Sequence, residues 1–172
     1  MSRDQREREE LLAALERAGR DYSGRSVLFH QAIADWLGLN VTDLKCLDLT
    51  READEITPGK LAELSGLTTG AITGVVDRLE KAGYVRRERD PHDRRKVIIQ
   101  PIPERILPKL SPIFTSLQQA MGAEFGSLYN NQDMALILDF IERSMQVLQA
   151  ETAKLQARMV QEEVVAQASV DR

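Results

Sequence analysis

The sequence has few of the side chains that metal and redox proteins use. Its 172 residues include one cysteine, Cys46, and two histidines, His30 and His92. A single cysteine excludes a disulfide within the chain, and three such side chains are fewer than the four closely spaced ligands of a structural zinc site. We therefore predict no metal and no other cofactor.

Long apolar runs and a secretion signal are also missing. No stretch approaches the roughly eighteen uncharged apolar residues of a membrane span, and the first residues, MSRDQREREELLAAL, have no apolar core with a small-residue cleavage site. The hydrophobic share of 42% and the charged share of 29% are ordinary for a folded soluble protein. The expectation is a cytoplasmic protein without membrane contact.

Motifs of common enzyme classes are absent as well. The sequence contains no glycine-rich phosphate loop, no Gly-x-Ser-x-Gly elbow and no His-Glu-x-x-His pair. Histidine and cysteine are too scarce for common nucleophile or metal chemistry. We therefore expect a binding protein and not an enzyme.

One segment is strongly basic although the chain carries a net charge of -4. Residues 78–96 contain eight Lys or Arg and four Asp or Glu, a local charge of +4, so the rest of the chain carries -8. Such asymmetry is typical of a localised patch that binds a polyanion.

The spacing of apolar residues predicts a mainly helical chain. Separate amphipathic helices are predicted over residues 3–20 and 26–37, and the second ends at Gly38. A third helix over residues 41–51 follows the cap residue Asn40. The second helix is expected to place four apolar side chains on one face: Phe29, Ile33, Trp36 and Leu37.

The segment from Thr57 to Gly83 predicts a helix-turn-helix motif. Thr57 is a cap with Pro58 at the first helical position, and this short helix ends at Gly66. Thr68 caps the next helix, whose outward face is small and polar and so can approach base edges closely. The residues expected to lead it into a major groove are Thr68, Thr69, Gly70 and Thr73.

A basic hairpin follows this motif directly. The runs YVRRER and RRKVIIQ flank the tip DPHD, whose proline and aspartates favour a loop, and Val97 and Ile99 have the spacing of one strand face. A helix-turn-helix followed by such a hairpin predicts a winged helix. The cations expected to meet phosphates or a narrow minor groove are Arg89, Arg94, Arg95 and Lys96. The alternative is a solvated hairpin with internal Arg–Asp pairs.

The carboxyl-terminal third predicts two more helices. Prolines obscure the start of the first, for which Ser111 is one credible cap, and Asn130 and Asn131 mark a turn. The last helix, from about residue 132 into the 160s, has apolar residues at alternating steps of four and three, the pattern of a helical seam. This seam predicts self-association together with the first helix, and packing within one subunit is the alternative. The expected dimer residues are Leu11, Leu15, Ile141, Met145, Leu148, Leu155 and Met159.

The element order, the tip DPHDRR and the run LTTGAITGVVDRLEKAGYVRR together resemble the MarR (multiple-antibiotic-resistance regulator) family of bacterial transcription factors. The expected organisation is a winged helix-turn-helix domain at residues 39–102, helical dimerisation regions at 1–38 and 103–165, and a frayed tail at 166–172. The fold class is mainly α with a small β wing.

The resemblance also implies roles for individual residues. Asp93 would brace Arg95, which would enter or border the minor groove. Gly74 departs from the family, because many members carry a basic residue at that position. Asp77 and Arg78 are interpreted as a possible intramolecular pair, and Asp77 is left out of the site.

The predicted function is a homodimeric DNA-binding regulator, a repressor of a pseudo-palindromic operator. By resemblance, a small aromatic or phenolic effector would bind near Phe29, His30 and Trp36, for which ordinary structural roles are the alternative. Cys46 is expected to be a buried, inert thiol, because its helix is apolar on most sides. The competing function is a winged-helix adaptor for proteins, which steeply salt-dependent DNA binding would exclude.

Overall fold

A computed structural model describes residues 2–52, 55–90, 93 and 95–170, with side chains as far as residue 162. The chain is mainly helical with one two-stranded antiparallel sheet, as predicted. Two compact units divide it, Met1–Thr115 and Ser116–Arg172. Among the described residues, no helix is long and apolar enough to cross a membrane. The elements in chain order are α1 (Arg3–Leu37), α2 (Val41–Glu52), α3 (Pro58–Ser65), α4 (Thr69–Lys81), β1 (Val85–Arg89), β2 (Val97–Pro101), α5 (Pro103–Phe125) and α6 (Asn131–Val170).

A single helix, α1, replaces the two amino-terminal helices that we predicted. It begins after Ser2, whose hydroxyl accepts the Gln5 N–H while the Gln5 side chain accepts the Ser2 N–H. It ends at Gly38, whose φ of 70° is left-handed. The predicted break at residues 21–25 does not occur, because that segment has no proline and its one glycine costs a helix only about 1 kcal/mol.

The apolar face that we predicted near the end of α1 is also different in the structure. Ile33 and Leu37 are buried and Phe29 packs partly against the core, whereas Trp36 is 70% exposed. Residues 29, 33 and 37 turn progressively around α1 at steps of four, with Ile33 in the middle, and Trp36 lies about 60° around the helix from Ile33 on the side away from Leu37. Trp36 is therefore not a core residue.

The core of the first unit lies where α1, α2, α3, α4, the sheet and the first turns of α5 meet. Helix α4 buries the apolar face that its sequence predicts, and Cys46 of α2 is fully buried, as expected. Complete burial of each large apolar side chain contributes about 1.5–3 kcal/mol. Fully buried side chains from these elements include Leu47, Leu61, Ile72, Leu79, Val85, Ile99, Ile106 and Leu110.

Helix α5 begins earlier than predicted. Its first residue is Pro103, and it continues through Pro108 and Pro112, so Ser111 lies inside the helix and is not a cap. Proline is well suited to the first helical position, but each internal proline removes a backbone hydrogen bond at a cost of about 3 kcal/mol. Burial of apolar side chains offsets that cost on the core side of the helix. These side chains are Ile106 and Leu110.

The second unit contains the end of α5 and helix α6. The predicted turn is confirmed at Asn130, whose side-chain oxygen accepts the N–H groups of Gln132 and Asp133 at 2.7 and 3.1 Å. The Asp133 carboxylate in turn accepts the Asn130 N–H at 3.0 Å. Residues 166–170, which we expected to fray, are helical, because the sequence there has no glycine or proline to end α6. Residues 171 and 172 lie outside the described part of the chain.

Strands β1 and β2 form the predicted wing, in a register that pairs Val85 with Pro101 and Arg89 with Val97. Strand alternation puts Val97 and Ile99 on one face, but only Ile99 is buried, because Val97 lies nearer the tip. The Ile99 N–H donates to the Ile56 carbonyl at 2.8 Å, which ties the base of the wing to the segment before α3.

Candidate nucleic-acid interface

The turn between α3 and α4 presents the amino terminus of α4 to solvent. The Thr57 hydroxyl caps α3 by accepting the Lys60 N–H at 3.2 Å, and α3 ends at Gly66 with a left-handed φ of 72°. The Thr68 hydroxyl then accepts the Ala71 N–H at 3.3 Å and starts α4. All four residues predicted to face a major groove are exposed at this end of α4, together with Ala71: Thr68, Thr69, Gly70 and Thr73.

The Thr73 hydroxyl can still accept a hydrogen bond but has no proton left to donate. It donates to the Thr69 carbonyl at 3.1 Å, so the proton is already used. The oxygen lone pairs and the methyl group remain available on the exposed side. Thr73 can therefore accept a hydrogen bond from a cytosine or adenine amino group, or contact a thymine methyl group.

An ion pair that we did not predict joins α4 to α2. Arg78 donates from Nε and Nη2 to the two Asp43 carboxylate oxygens at 2.8 and 2.7 Å. Asp43 is 1% exposed and also accepts from the Asn40 side chain at 3.0 Å. The interpretation of Asp77 and Arg78 as a possible pair is wrong, because the Arg78 guanidinium pairs with Asp43 instead. Its hydrogen bond with Asp43 raises the pKa of Arg78, so the guanidinium stays charged.

A second unpredicted cluster joins the wing to α4. The Arg87 guanidinium of β1 pairs with the carboxylates of Asp77 and Glu80, and the Arg87 N–H donates to Glu80 at 3.1 Å. Arg87 therefore fixes the first wing strand against the helix, and two carboxylates balance its charge. Asp77, which we left out of the predicted site, is therefore paired with Arg87.

The wing tip is closed by backbone hydrogen bonds around Asp93. The Asp93 N–H donates to the Asp90 carboxylate at 3.1 Å, and the Lys96 N–H donates to the Asp93 carbonyl at 2.8 Å. The Asp93 carboxylate accepts the Arg95 N–H at 3.1 Å and lies 3.5 Å from Arg95 Nε. The Arg95 side chain is nevertheless 93% exposed. Asp93 thus orients Arg95 without covering it, the arrangement that the resemblance implies.

Cations of the wing divide into paired and unpaired groups. Arg86 lies 2.6 Å from Glu88, and Arg87 has the two partners described above, so internal pairs are part of this hairpin. Arg89 and Lys96 are exposed, and their side chains make no ion pair or hydrogen bond with any residue in the described ranges. Arg94 lies outside those ranges. Two free cations and the exposed Arg95 therefore give the wing a surface that can bind an anion.

The residues predicted to contact an effector are not gathered into one site. The Phe29 and His30 rings meet edge to face with centroids 6.1 Å apart, and His30 Nδ1 is 2.7 Å from the Ser26 carbonyl oxygen. Trp36 lies two turns beyond Phe29 on α1. Phe29 is partly buried, and the other two side chains are exposed.

All the predicted dimer residues are exposed in the single chain. Leu148 of α6 is 67% exposed and Leu11 of α1 is 60% exposed. Large apolar side chains exposed in number along one helix are typical of a surface that another protein covers. Within its own unit, as far as the structure describes it, the α6 part of the predicted seam therefore has no partner that buries it.

Comparison with known proteins agrees with this geometry. The sequence model of the MarR family matches residues 39–97. The HTH-type transcriptional regulator YcgE of Bacillus subtilis is 41% identical over 131 residues, which are 76% of this chain and 84% of that protein.

Solved structures share the fold at lower identity. A MarR family protein from Bacillus stearothermophilus matches with a TM-score of 0.64 and 19% identity, over 82% of this chain and 97% of that one. Streptococcus pneumoniae FabT, solved in complex with DNA, matches with a TM-score of 0.63 and 17% identity, over 80% of this chain and 97% of that one.

The sequence and fold comparisons agree on one assignment. The helix-turn-helix lies inside the matched residues, and the similarity to YcgE extends well beyond it. The family consists of transcriptional regulators and not of enzymes. The chain belongs to the MarR family of winged helix-turn-helix, DNA-binding transcriptional regulators.

Proposed function

We propose that the protein is a homodimeric repressor of a pseudo-palindromic operator and that a small effector modulates its binding. The observation that carries this proposal is the exposed, small and polar end of α4 beside a wing with unpaired cations. Repression follows if the bound dimer covers a promoter. The cytoplasm, where bacterial DNA lies, is the compartment in which this function operates.

Helix α4 would enter the major groove with its amino-terminal residues, as the second helix of a helix-turn-helix does. Thr68, Thr69, Gly70 and Thr73 would face base edges. The wing would lie over the flanking backbone, where Arg89, Arg94, Arg95 and Lys96 would meet phosphates or a narrow minor groove, with Asp93 bracing Arg95. The phosphate contacts would supply most of the affinity, and the α4 contacts would supply the sequence preference.

The dimer would be held by the exposed apolar seam of α6 and by the exposed leucines of α1. Helix α6 has 40 residues and is therefore about 60 Å long. Both copies would bury Leu11, Leu15, Ile141, Met145, Leu148, Leu155 and Met159. A two-fold axis would place the two α4 helices about one helical turn apart on DNA, which accounts for a pseudo-palindromic operator.

An aromatic or phenolic effector would bind beside the carboxyl-terminal half of α1. Phe29 and His30, whose rings are in contact, would meet one part of such a molecule. Trp36, two turns further along α1, would contact it only if the molecule spans that distance. An effector can change DNA binding only through different affinities for the DNA-competent and the incompetent dimer. Its action would therefore require the separation of the two α4 helices to change.

Selection of genomic fragments with the purified protein tests this proposal. The enriched sequence is then bound in mobility shifts at two salt concentrations, with Arg95→Ala as the comparison. We expect an inverted repeat, steep salt dependence, and weaker binding by Arg95→Ala with an unchanged dimer mass in sedimentation. Loss of the dimer in Arg95→Ala would contradict the role of that residue.

A different result would favour another function. If no fragment is enriched and the binding of DNA is absent or insensitive to salt, the winged fold serves a protein partner or requires an effector for DNA binding. Repeating the selection with small aromatic acids and phenols separates these two outcomes.

A further inference from the structure

We propose that Arg78 is a phosphate-contacting residue of the DNA interface, held in place by Asp43 and given room by Gly74. This inference rests on the proposed DNA docking and adds a residue that lies outside those assigned above. Three features of α4 and α2 carry it.

The first feature is the way in which Arg78 divides its hydrogen bonds. A guanidinium has five N–H groups in a planar fork. Asp43 accepts one from Nε and one from Nη2, which leaves Nη1 and the second Nη2 proton for another acceptor. The Arg78 side chain is 52% exposed, whereas the Asp43 side chain is 2% exposed. One edge of the fork is therefore anchored in the protein and the other edge is open.

The second feature is the absence of a side chain at Gly74, one turn before Arg78. A Cβ built on Gly74 would lie 3.4 Å from Arg78 Nη1. Any larger side chain at position 74 would stand next to the open edge of the guanidinium. Gly74 has a helical φ and therefore no conformational need for glycine. Access to Arg78 is a physical reason for glycine at this position.

The third feature is the location of Arg78 along α4. It follows Gly70 by eight residues, which places it about 12 Å further along the helix axis and about 80° around the helix. The major groove of B-DNA is about 12 Å wide. If the amino terminus of α4 lies at the base edges, Arg78 reaches the rim of the groove, where the phosphates are.

The wing contains the same arrangement in a smaller form. Asp93 orients Arg95 from one side and leaves its guanidinium exposed. At Arg78 the bracing carboxylate is buried and the ion pair is bidentate, so the guanidinium is more firmly oriented before DNA arrives. An oriented donor loses less conformational entropy on binding than a free arginine does.

A double substitution, Asp43→Asn with Arg78→Gln, tests the role of Arg78. It leaves the net charge unchanged, leaves no unpaired buried carboxylate, and allows an amide–amide hydrogen bond in place of the ion pair. We expect affinity for the selected operator to fall at least about tenfold. The slope of log K against log salt should become shallower by roughly 0.9 for each phosphate that the variant no longer neutralises.

The matched control is Asp139→Asn with Arg143→Gln. This removes another Asp–Arg pair, at 2.8 Å on α6, with the same change in composition. We expect its operator affinity and salt slope to equal those of the wild type. A folded Asp43/Arg78 variant with the wild-type slope would overturn the proposal.

A second measurement does not depend on how well the double variant folds. Operator duplexes with one neutral methylphosphonate linkage each are bound by the wild type and by Arg78→Lys, which keeps a cation for Asp43. We expect one linkage in each half-site to weaken the wild type several-fold and Arg78→Lys distinctly less. Equal effects on both proteins at every linkage would overturn the proposal. Failure of the wild type itself to bind any selected duplex would instead overturn the proposed function.

Discussion

Removal of one hydroxyl, in Tyr84→Phe, should measurably destabilise the first unit. Tyr84 lies between α4 and β1 and is 3% exposed. Its hydroxyl donates to the Leu37 carbonyl at 3.0 Å and accepts from Lys109 Nζ at 2.8 Å. The hydroxyl therefore connects the end of α1 and the start of α5 to the residue at which the wing begins.

The expected size of the effect follows from what happens to each partner. The Leu37 carbonyl is at the end of a helix, where carbonyl groups have no intrahelical partner, and Leu37 is buried. An unsatisfied buried acceptor costs about 1–3 kcal/mol. Lys109 is exposed and can turn to water, and its contact with the Tyr84 ring, 5.2 Å from the centroid, survives in phenylalanine. The predicted decrease is therefore about 1–3 kcal/mol of unfolding free energy, most of it from Leu37.

Urea unfolding followed by circular dichroism measures this decrease, at one fixed protein concentration because the stability of the proposed dimer would depend on concentration. The matched control is Tyr22→Phe, since Tyr22 is 73% exposed on α1. We expect the control to unfold like the wild type. Equal stability of Tyr84→Phe and Tyr22→Phe would refute the reasoning, because it would mean that the Leu37 carbonyl has no need of the hydroxyl.

Three other predictions concern the interface, the dimer and the thiol. Thr73→Ala should change the ranking of operator variants by about 1 kcal/mol or more, because the hydroxyl no longer meets a base edge; uniformly weaker binding to all DNA would indicate a backbone contact instead. Leu148→Glu should dissociate the proposed dimer in sedimentation, because it puts a charge into the apolar seam. The neighbouring Gln149→Glu should leave the dimer intact. A wild type that sediments as a monomer would contradict the proposed dimer. Burial raises the pKa of Cys46, and the nearby Asp43 adds to the rise, so an aromatic disulfide reagent at neutral pH should modify this thiol only after unfolding. Rapid modification of the native protein would show that the thiol is accessible.

The helix-turn-helix was predictable because its signals are local. Thr57, Pro58 and Gly66 bound α3, and Thr68 starts α4, each through its own backbone or side-chain chemistry. The period of the apolar residues then identified which face of α4 is buried. None of these inferences required knowledge of a distant residue.

Helix lengths were less predictable, because α1 continues through a weak helix breaker and because tertiary packing decided the length of α5. Gly24 is a weak break within α1, and Pro108 and Pro112 are strong breaks within α5, yet both helices continue. In α5 the buried side chains on either side of Pro108 hold the helix on the core. The sequence shows the local cost of a proline but not the burial that offsets it.

The ion pairs of the site were beyond sequence reasoning for another reason. Arg78 has an acidic neighbour in Asp77, but it pairs with Asp43, 35 residues earlier. Asp77 pairs with Arg87 across the space between α4 and the wing. In a segment rich in both charges, proximity in sequence does not select the partner. The one available signal was the position of Asp43 in the first turn of its helix, which placed it near a helix end but not near Arg78.

The hydrogen bond from Ile99 to Ile56 has a consequence for which positions of the wing can tolerate substitution. An isolated two-stranded hairpin is marginally stable in water, but here Ile56 and the core hold its base in place. Arg95 and Lys96 at the tip are exposed and contribute little to the core. Substitutions at the tip should therefore cost the fold little, whereas substitutions at Ile56 or Ile99 should destabilise it. Affinity for DNA and stability of the fold can then change separately within one short hairpin.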